Sequence, residues 1–510
     1  MKPASILLAA NTIAGAMCKV LVGYAPSWKD ISDVDLAKYT HVNLAYGTPQ
    51  ANGTIVFESS YSLADCVPRI HQAGAKALLS VGGWTGERYM SDILMSPYDR
   101  NELVKSTVSL VTSNNLDGVE IAWAYPGKAN NKCDKFDIAN DASNLLEFLK
   151  QLRAELTRSS SGQPKLITMS VGVIPFQGPG GPLKDVSAFA PLIDLLSVIA
   201  YDINGPWLPT TGPNSPLKNE AGRGAPYSFS SAIDSWTAAE FPAEKLVAGI
   251  GLFGRSSTAS QDMTRDSTNQ YQPQLSKIPR GDKDDGLWED KCSGKPASFS
   301  GIWSYKSLRE QGVLKAPDAA SNGWNRYWDD RAQVPWLFST TTNVFISYDD
   351  MKSVAAKVSL AVAKGLGGIM VWDITMDYQD ELIGEIRKGV GLKPLARMGP
   401  VLSQAIAIPQ LHVDTFVWPA GPTQSAAPAT NTPPQGGGNG GNSNNSSGSN
   451  GSRPTIGGQC GPNVNYRCMS DNHKSQEFAT CAGGTWVLQQ CGTGTACVQN
   501  GASVYCDYYK

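Results

Sequence analysis

Between residues 19 and 393 the chain repeats one alternation: a short, nearly all-apolar run, then a longer stretch with helical spacing. The apolar runs are Val20–Tyr24, His41–Tyr46, Ala77–Val81, Gly118–Ala124, Leu166–Val173, Leu195–Tyr201, Leu246–Phe253 and Gly368–Trp372. They are too short for helices and lack the polar alternation of a strand wetted on one face, so they read as strands buried on both sides. Eight such strands separated by helical stretches predict an α/β fold, a (β/α)8 TIM barrel. One spacing departs from the pattern. About a hundred residues separate Phe253 from Gly368, where a βα loop normally needs only a few. The stretch of about 256–345 is aromatic-rich and strand-like, with Trp288, Trp303, Trp324, Trp328 and Trp336. It predicts an α+β subdomain inserted between strands seven and eight, walling a groove at the barrel's C-terminal rim.

The ends of the chain follow other rules. Residues 1–16 carry Lys2, an apolar run from Ile6 to Ala16 and the small-residue pattern Ala14-Gly15-Ala16, which predicts a secretory signal peptide and an extracellular protein. No run reaches the ~18 apolar residues that a membrane span needs. Residues 394–418 show no pattern that assigns them. Residues 419–455 are rich in Pro, Gly, Ser and Asn, cannot bury a core, and predict a flexible tether. The last stretch, 456–510, holds six of the chain's ten cysteines: Cys460, Cys468, Cys481, Cys491, Cys497 and Cys506. That crowding, without a C-x-x-C pair, predicts a small disulfide-rich module rather than a zinc site. Cys18, Cys66, Cys133 and Cys292 cannot be paired from the sequence. Asn52-Gly53-Thr54 is an acceptor for N-linked glycans if exposed.

Charge and chemistry narrow the partners. The formal net charge is −2, so no basic face invites nucleic acid or an anionic membrane. The four histidines, His41, His71, His412 and His473, form no ligand spacing. No phosphate loop or Ser-His-Asp arrangement occurs, and no cofactor or metal is implied.

The informative segment is Leu116-Asp117-Gly118-Val119-Glu120-Ile121-Ala122-Trp123-Ala124-Tyr125-Pro126-Gly127. Side chains alternate along a strand, so Glu120, Ala122 and Ala124 share the inner face, and Val119, Ile121 and Trp123 the outer. Pro126 ends the strand and leaves Ala124 at its C-terminal end, where barrel enzymes keep catalytic groups. Here the chain resembles the family 18 glycoside hydrolases, the chitinases, whose hallmark is D-G-x-D-x-D-x-E on the fourth strand. Four further stretches share the resemblance in order: Ser80-Val81-Gly82-Gly83-Trp84, Tyr201-Asp202-Ile203-Asn204-Gly205, Phe253-Gly254-Arg255 and Ser347-Tyr348-Asp349-Asp350. Gly367-Gly368-Ile369-Met370-Val371-Trp372 completes it.

The departures from that hallmark decide the functional expectation. The resemblance puts the general acid at position 124 and the carboxylate that orients the substrate's N-acetyl group at 122, and both are alanine here. In that family the N-acetyl oxygen attacks the anomeric carbon while the acid protonates the leaving oxygen, an exception to the two-carboxylate scheme. Loss of general acid help is typically worth about 10²–10⁴ in rate. Glu120 lies four residues deeper, roughly 13 Å at ~3.3 Å per residue, and reads as a buried carboxyl paired within the barrel. Asp202 is nearer the rim, but the resemblance assigns it to holding the N-acetyl group, with Tyr201. By the same resemblance Trp372 floors the sugar site and Arg255 contacts the neighbouring sugar. Tyr24 and Tyr46 sit at strand ends toward the same cleft, and Trp84 reads as core packing. The tail's cysteine spacing resembles the family 19 chitin-binding module of fungal chitinases, with Trp486 and the tyrosines at 505, 508 and 509 as its aromatic candidates. The expected protein binds chitin or chitooligosaccharides without cutting them; the alternatives are a weakly active chitinase and a barrel with a vestigial groove that binds a protein.

Overall fold

The computed structural model describes residues 20–393, apart from 161–163, 290–291, 293–295 and 322, and five short strand segments between 466 and 508. The expected signal peptide, Cys18 and the expected tether lie outside the described residues.

Eight parallel strands close a barrel. They are β1 (Val20–Pro26), β2 (His41–Pro49), β3 (Lys76–Gly82), β4 (Gly118–Ala122), β5 (Leu166–Val171), β6 (Leu195–Val198), β7 (Leu246–Gly251) and, after the insertion, β13 (Gly368–Trp372). The order is β1-β13-β7-β6-β5-β4-β3-β2, and β1 pairs with β2 to close the ring. In such a ring β3 stands opposite β7, and β4 opposite β13. Outer strand faces pack against helices: Val119, Ile121 and Trp123 of β4 and its end share one apolar core with Phe148, Leu149 and Leu152 of α3 (Asp141–Ser159). A second cluster fills the barrel with Val22, Tyr24, Ala45, Tyr201, Val247, Phe253 and Met370. Among the described residues no helix is long and apolar enough to cross a membrane.

The insertion folds as a five-stranded antiparallel sheet of β8 (Phe253–Thr258), β9 (Ile302–Ser304), β10 (Asn325–Asp329), β11 (Val334–Ser339) and β12 (Val344–Ser347), in the order β9-β8-β12-β11-β10, with a helix at Tyr305–Glu310. It begins two residues after β7 ends, a few residues earlier than its composition suggests. The fourth strand stops at Ala122 rather than Ala124, and the sixth at Val198 rather than Tyr201. The reason at β4 is the exit of its neighbour β3. Gly82 has φ 117°, and a Cβ there would stand 2.3 Å from the Ala122 carbonyl oxygen. Only glycine lets β3 turn away so close to β4, and the ladder ends with it.

In the tail, two small antiparallel sheets are described: Tyr466–Cys468 with Glu477–Ala482 and Thr485–Gln490, and Thr495–Asn500 with Ser503–Tyr508. A disulfide joins Cys468 to Cys497. A second disulfide, Cys133–Cys292, settles a pairing that the sequence leaves open, while Cys66 is a buried free thiol.

Candidate functional site

The barrel's inner face is polar beneath the rim. Glu120 is fully buried and accepts hydrogen bonds from the Tyr24 hydroxyl and, at 2.5 Å, from Ser80 Oγ. Burial pushes its carboxyl up to about 7, against the pull of Ser80, Tyr24 and the Asn43 side chain. Its partners all lie inside the barrel, so it is a structural carboxyl below the rim. Above it, Ala122 is 4% exposed and Ala124 partly exposed. On this face the rim of the fourth strand therefore ends in two methyl groups.

A carboxyl that sequence reasoning missed stands beside them. After Gly82 the chain doubles back, and Glu87 places Oε2 3.1 Å from the backbone nitrogen of Ala124, accepting its N–H. The bond replaces the ladder partner lost where β3 departs. Glu87 is 4% exposed, and burial pushes its carboxyl up to about 8, opposed by the bond from Ala124. The Asn130 side chain also bonds to this carboxyl and pulls it down, while the nearby Asp134 charge adds to the rise. Nothing in the sequence signals this residue, since its role depends on the turn at Gly82.

The opposite rim carries aromatic rings. Trp372 at the end of β13 is partly buried, stacked on Tyr46 with ring centroids 5.8 Å apart and planes 17° apart, and 5.4 Å from Tyr24. Tyr46 also packs over Gly83, where a Cβ would come within 2.7 Å of its ring. Tyr24 is 2% exposed with its hydroxyl on Glu120, so it supports Trp372 from below rather than opening to the groove. Tyr201 is 9% exposed, edge-on to Phe253 at 5.7 Å. Asp202, in the left-handed region at φ 55°, accepts from Arg255 through both oxygens, Nε at 2.7 Å and Nη2 at 2.8 Å. The guanidinium also donates to the Ser300 carbonyl at 3.1 Å and lies 5.4 Å from the Trp207 ring.

Three further tryptophans are exposed on segments that leave the barrel strands, and two of them, Trp28 and Trp207, border this surface. Trp28 is 58% exposed, with its ring 6.2 Å from Trp372, and lines one cavity with Lys29, Asp285, Ser300, Trp372 and Asp373. Trp207 is 53% exposed. Trp84, read from the sequence as core, is 51% exposed, because the glycine turn before it directs it outward. Trp28 follows closely on Pro26, which ends β1, and that chain break is the signal that could have found it; Trp207 lies in the long segment after β6 and carries no such signal. In the tail, Trp486 is partly exposed on its strand, opposite Cys481. Among the described residues no three metal-ligating side chains cluster.

The closed barrel, the insertion wall and the aromatic rim define a glycoside-hydrolase-like protein: the chain belongs to glycosyl hydrolase family 18, whose model matches residues 20–377. More particularly, it is similar to a chitinase-like effector of Moniliophthora roreri, 33% identical over 402 residues covering 76% of this chain and 96% of the relative. A chitinase-like effector of Moniliophthora perniciosa is 31% identical over 389 residues, 72% of this chain and 86% of the relative. The crystal structure of a chitinase from Rhizomucor miehei superposes with a TM-score of 0.67 at 30% identity, covering 72% of this chain and 99% of that one.

Proposed function

We propose that this chain is a secreted, catalytically silent chitinase-like protein that binds chitin and chitooligosaccharides and so sequesters their fragments. The observation that carries the reading is the pair Ala122 and Ala124 at the rim of β4, facing a groove that keeps Trp372, Tyr46, Tyr201 and the Asp202–Arg255 pair. Methyl groups can neither protonate a leaving oxygen nor orient an N-acetyl group. Flat aromatic faces with a few fixed polar groups remain suited to a polysaccharide. The names of the two effector relatives support a role outside hydrolysis. Residues 1–16 act as the export signal, 419–455 as a tether and 456–510 as a second chitin-binding module with Trp486 in its contact face. Two tethered sites raise overall affinity without any new contact. Calorimetry with chitin hexamer tests the binding, alongside turnover of a fluorogenic chitotriose substrate. Micromolar or tighter binding with no turnover is expected, and no binding at millimolar hexamer would remove the proposal.

One observation favours a second reading, slow hydrolysis. Glu87 brings a carboxyl that holds its proton at neutral pH up against Ala124. If the native chain shows turnover and Glu87→Gln abolishes it, the protein is a weak chitinase with a relocated acid.

A further inference from the structure

We infer that the Cys133–Cys292 disulfide ties the two walls of the groove together above its floor, so that the site takes free-ended N-acetylglucosamine oligosaccharides threaded along it rather than internal stretches of a polymer laid in from above. The inference rests on the binding reading and adds the form of ligand that can enter.

The topology sets the span. Cys133 lies in the segment between β4 and α3, and Cys292 lies in the insertion between β7 and β13. The bond thus joins loops three strands apart in an eight-strand ring. Local contacts fix which side each half belongs to. On one side, Asn131 Nδ2 donates to the Trp84 carbonyl at 3.3 Å, and Lys135 Nζ meets Asp92 at 2.6 Å. Both partners belong to the segment that follows β3. On the other side, the carboxylate of Asp285 accepts from Gly281 N at 2.7 Å, Gly301 N at 3.0 Å and Ser300 N at 3.1 Å. One buried carboxylate therefore clamps both stems of the excursion that carries Cys292. Trp288 and Ser298 exchange backbone hydrogen bonds at 3.0 Å, which extends the two stems as an antiparallel pair.

Those stems rise beside the sugar floor. Asp285 and Ser300 share a cavity with Trp28 and Trp372, and Arg255 holds the Ser300 carbonyl. The excursion starts on the β7–β13 side and is bonded to a segment seated on the β3–β4 side, the opposite half of the ring. Ala124 and Trp372 belong to opposite halves of the same mouth. A link between the halves passes over the space between them. A covalent crossing cannot swing aside as a lid does, so a ligand enters lengthwise and needs an end. It also leaves lengthwise, which slows dissociation.

The test uses the full chain and its Cys133→Ser/Cys292→Ser variant, with chitin hexamer and with glycol chitin, a soluble polymer in which ends are scarce. The tail module is common to both proteins and cancels in the comparison. The native chain is expected to favour the hexamer, per hexamer unit, by at least about 10-fold. The variant should lose most of that preference and release the hexamer several-fold faster. A second variant, with 287–298 replaced by Gly-Gly between the clamped stems, should behave likewise and covers the case in which the serine variant fails to fold. Equal preference and equal dissociation in native and variant proteins would overturn the strap while leaving binding intact. No hexamer binding by any of them would instead overturn the binding reading on which it rests.

Discussion

The backbone N–H of Ala124 donates to Oε2 of Glu87 at 3.1 Å. The two residues meet because β3 leaves the barrel at Gly82, which strips β4 of its neighbour one residue pair too early. Glu87 satisfies the orphaned amide, as a buried N–H requires. The cost is a carboxyl almost out of water, with burial holding its proton on up to about pH 8.

This carboxyl makes stability fall as pH rises. In the unfolded chain Glu87 ionises near 4.5, while the native state keeps its proton to about 8. Between those values the unfolded state binds fewer protons, so stability drops with pH and levels off above 8. Glu120, pushed up to about 7, adds to the slope over a narrower window. The Glu87 share is up to about 5 kcal/mol, at 1.36 kcal/mol per pH unit. Thermal melts from pH 4.5 to 8.5 should show a falling midpoint, and Glu87→Gln should flatten it while matching the parent near pH 4.5. An unchanged slope in the variant would assign the pH dependence elsewhere.

Restoring the two side chains tests whether the groove still fits its sugar. Ala122→Asp with Ala124→Glu should raise turnover of fluorogenic chitotriose by about 10² or more, the range of general acid help. Ala124→Glu alone should gain less, because nothing then orients the N-acetyl group and the new carboxyl lies beside Glu87. A folded double variant with unchanged turnover would mean that the groove no longer presents the bond to position 124.

How much of this was legible follows from where each signal resides. The barrel strands announce themselves because both faces are buried, and apolar runs such as Val20–Tyr24 and Leu246–Phe253 survive any detail of packing. The inner and outer faces of β4 follow from alternation alone, and Glu120 duly lies inside the barrel and Trp123 outside it. Glu87 and Trp207 were not legible, because their places depend on how the chain turns after a strand, and only the strand-ending Pro26 pointed to Trp28. Trp84 was misread for the same reason: two glycines before it reverse the direction that a strand would have imposed. The Cys133–Cys292 bond joins residues 159 apart in sequence, a contact that only the closed ring brings about.

Trp372 is the residue whose loss should cost the most binding with the least structural damage. It is only partly buried, and Tyr46, Tyr24 and Trp28 surround it from one side. Trp372→Ala should weaken hexamer binding by roughly 10–100-fold, about 1.4–2.8 kcal/mol. Trp328 is the control. Its ring carries Lys352 Nζ 3.6 Å from its centre, on a separate cavity of the insertion, so Trp328→Ala should leave hexamer affinity unchanged. Equal losses in both variants would point to a general loosening rather than a sugar contact.

The last prediction concerns the buried pair that holds the rim in place. Lys357 of α5 (Met351–Ala363) is fully buried, and its Nζ lies 2.6 Å from both oxygens of Asp349 and 2.8 Å from Ser215 Oγ. Ser215 in turn donates to the Ala200 carbonyl at 2.6 Å, next to Tyr201 and Asp202. Burial drives the ammonium down and Asp349 pulls it back up, so each charge depends on the other. Lys357→Met leaves a buried carboxylate unpaired and should cost about 3–5 kcal/mol in urea unfolding. Lys357→Met with Asp349→Leu removes both charges and should recover most of that loss, since a buried pair replaced by apolar groups is often neutral. The double variant should still bind hexamer more weakly than the native chain, because Ser215 loses the partner that fixes the segment under Tyr201. A double variant as unstable as the single one would show that packing volume, not the uncompensated charge, sets the penalty.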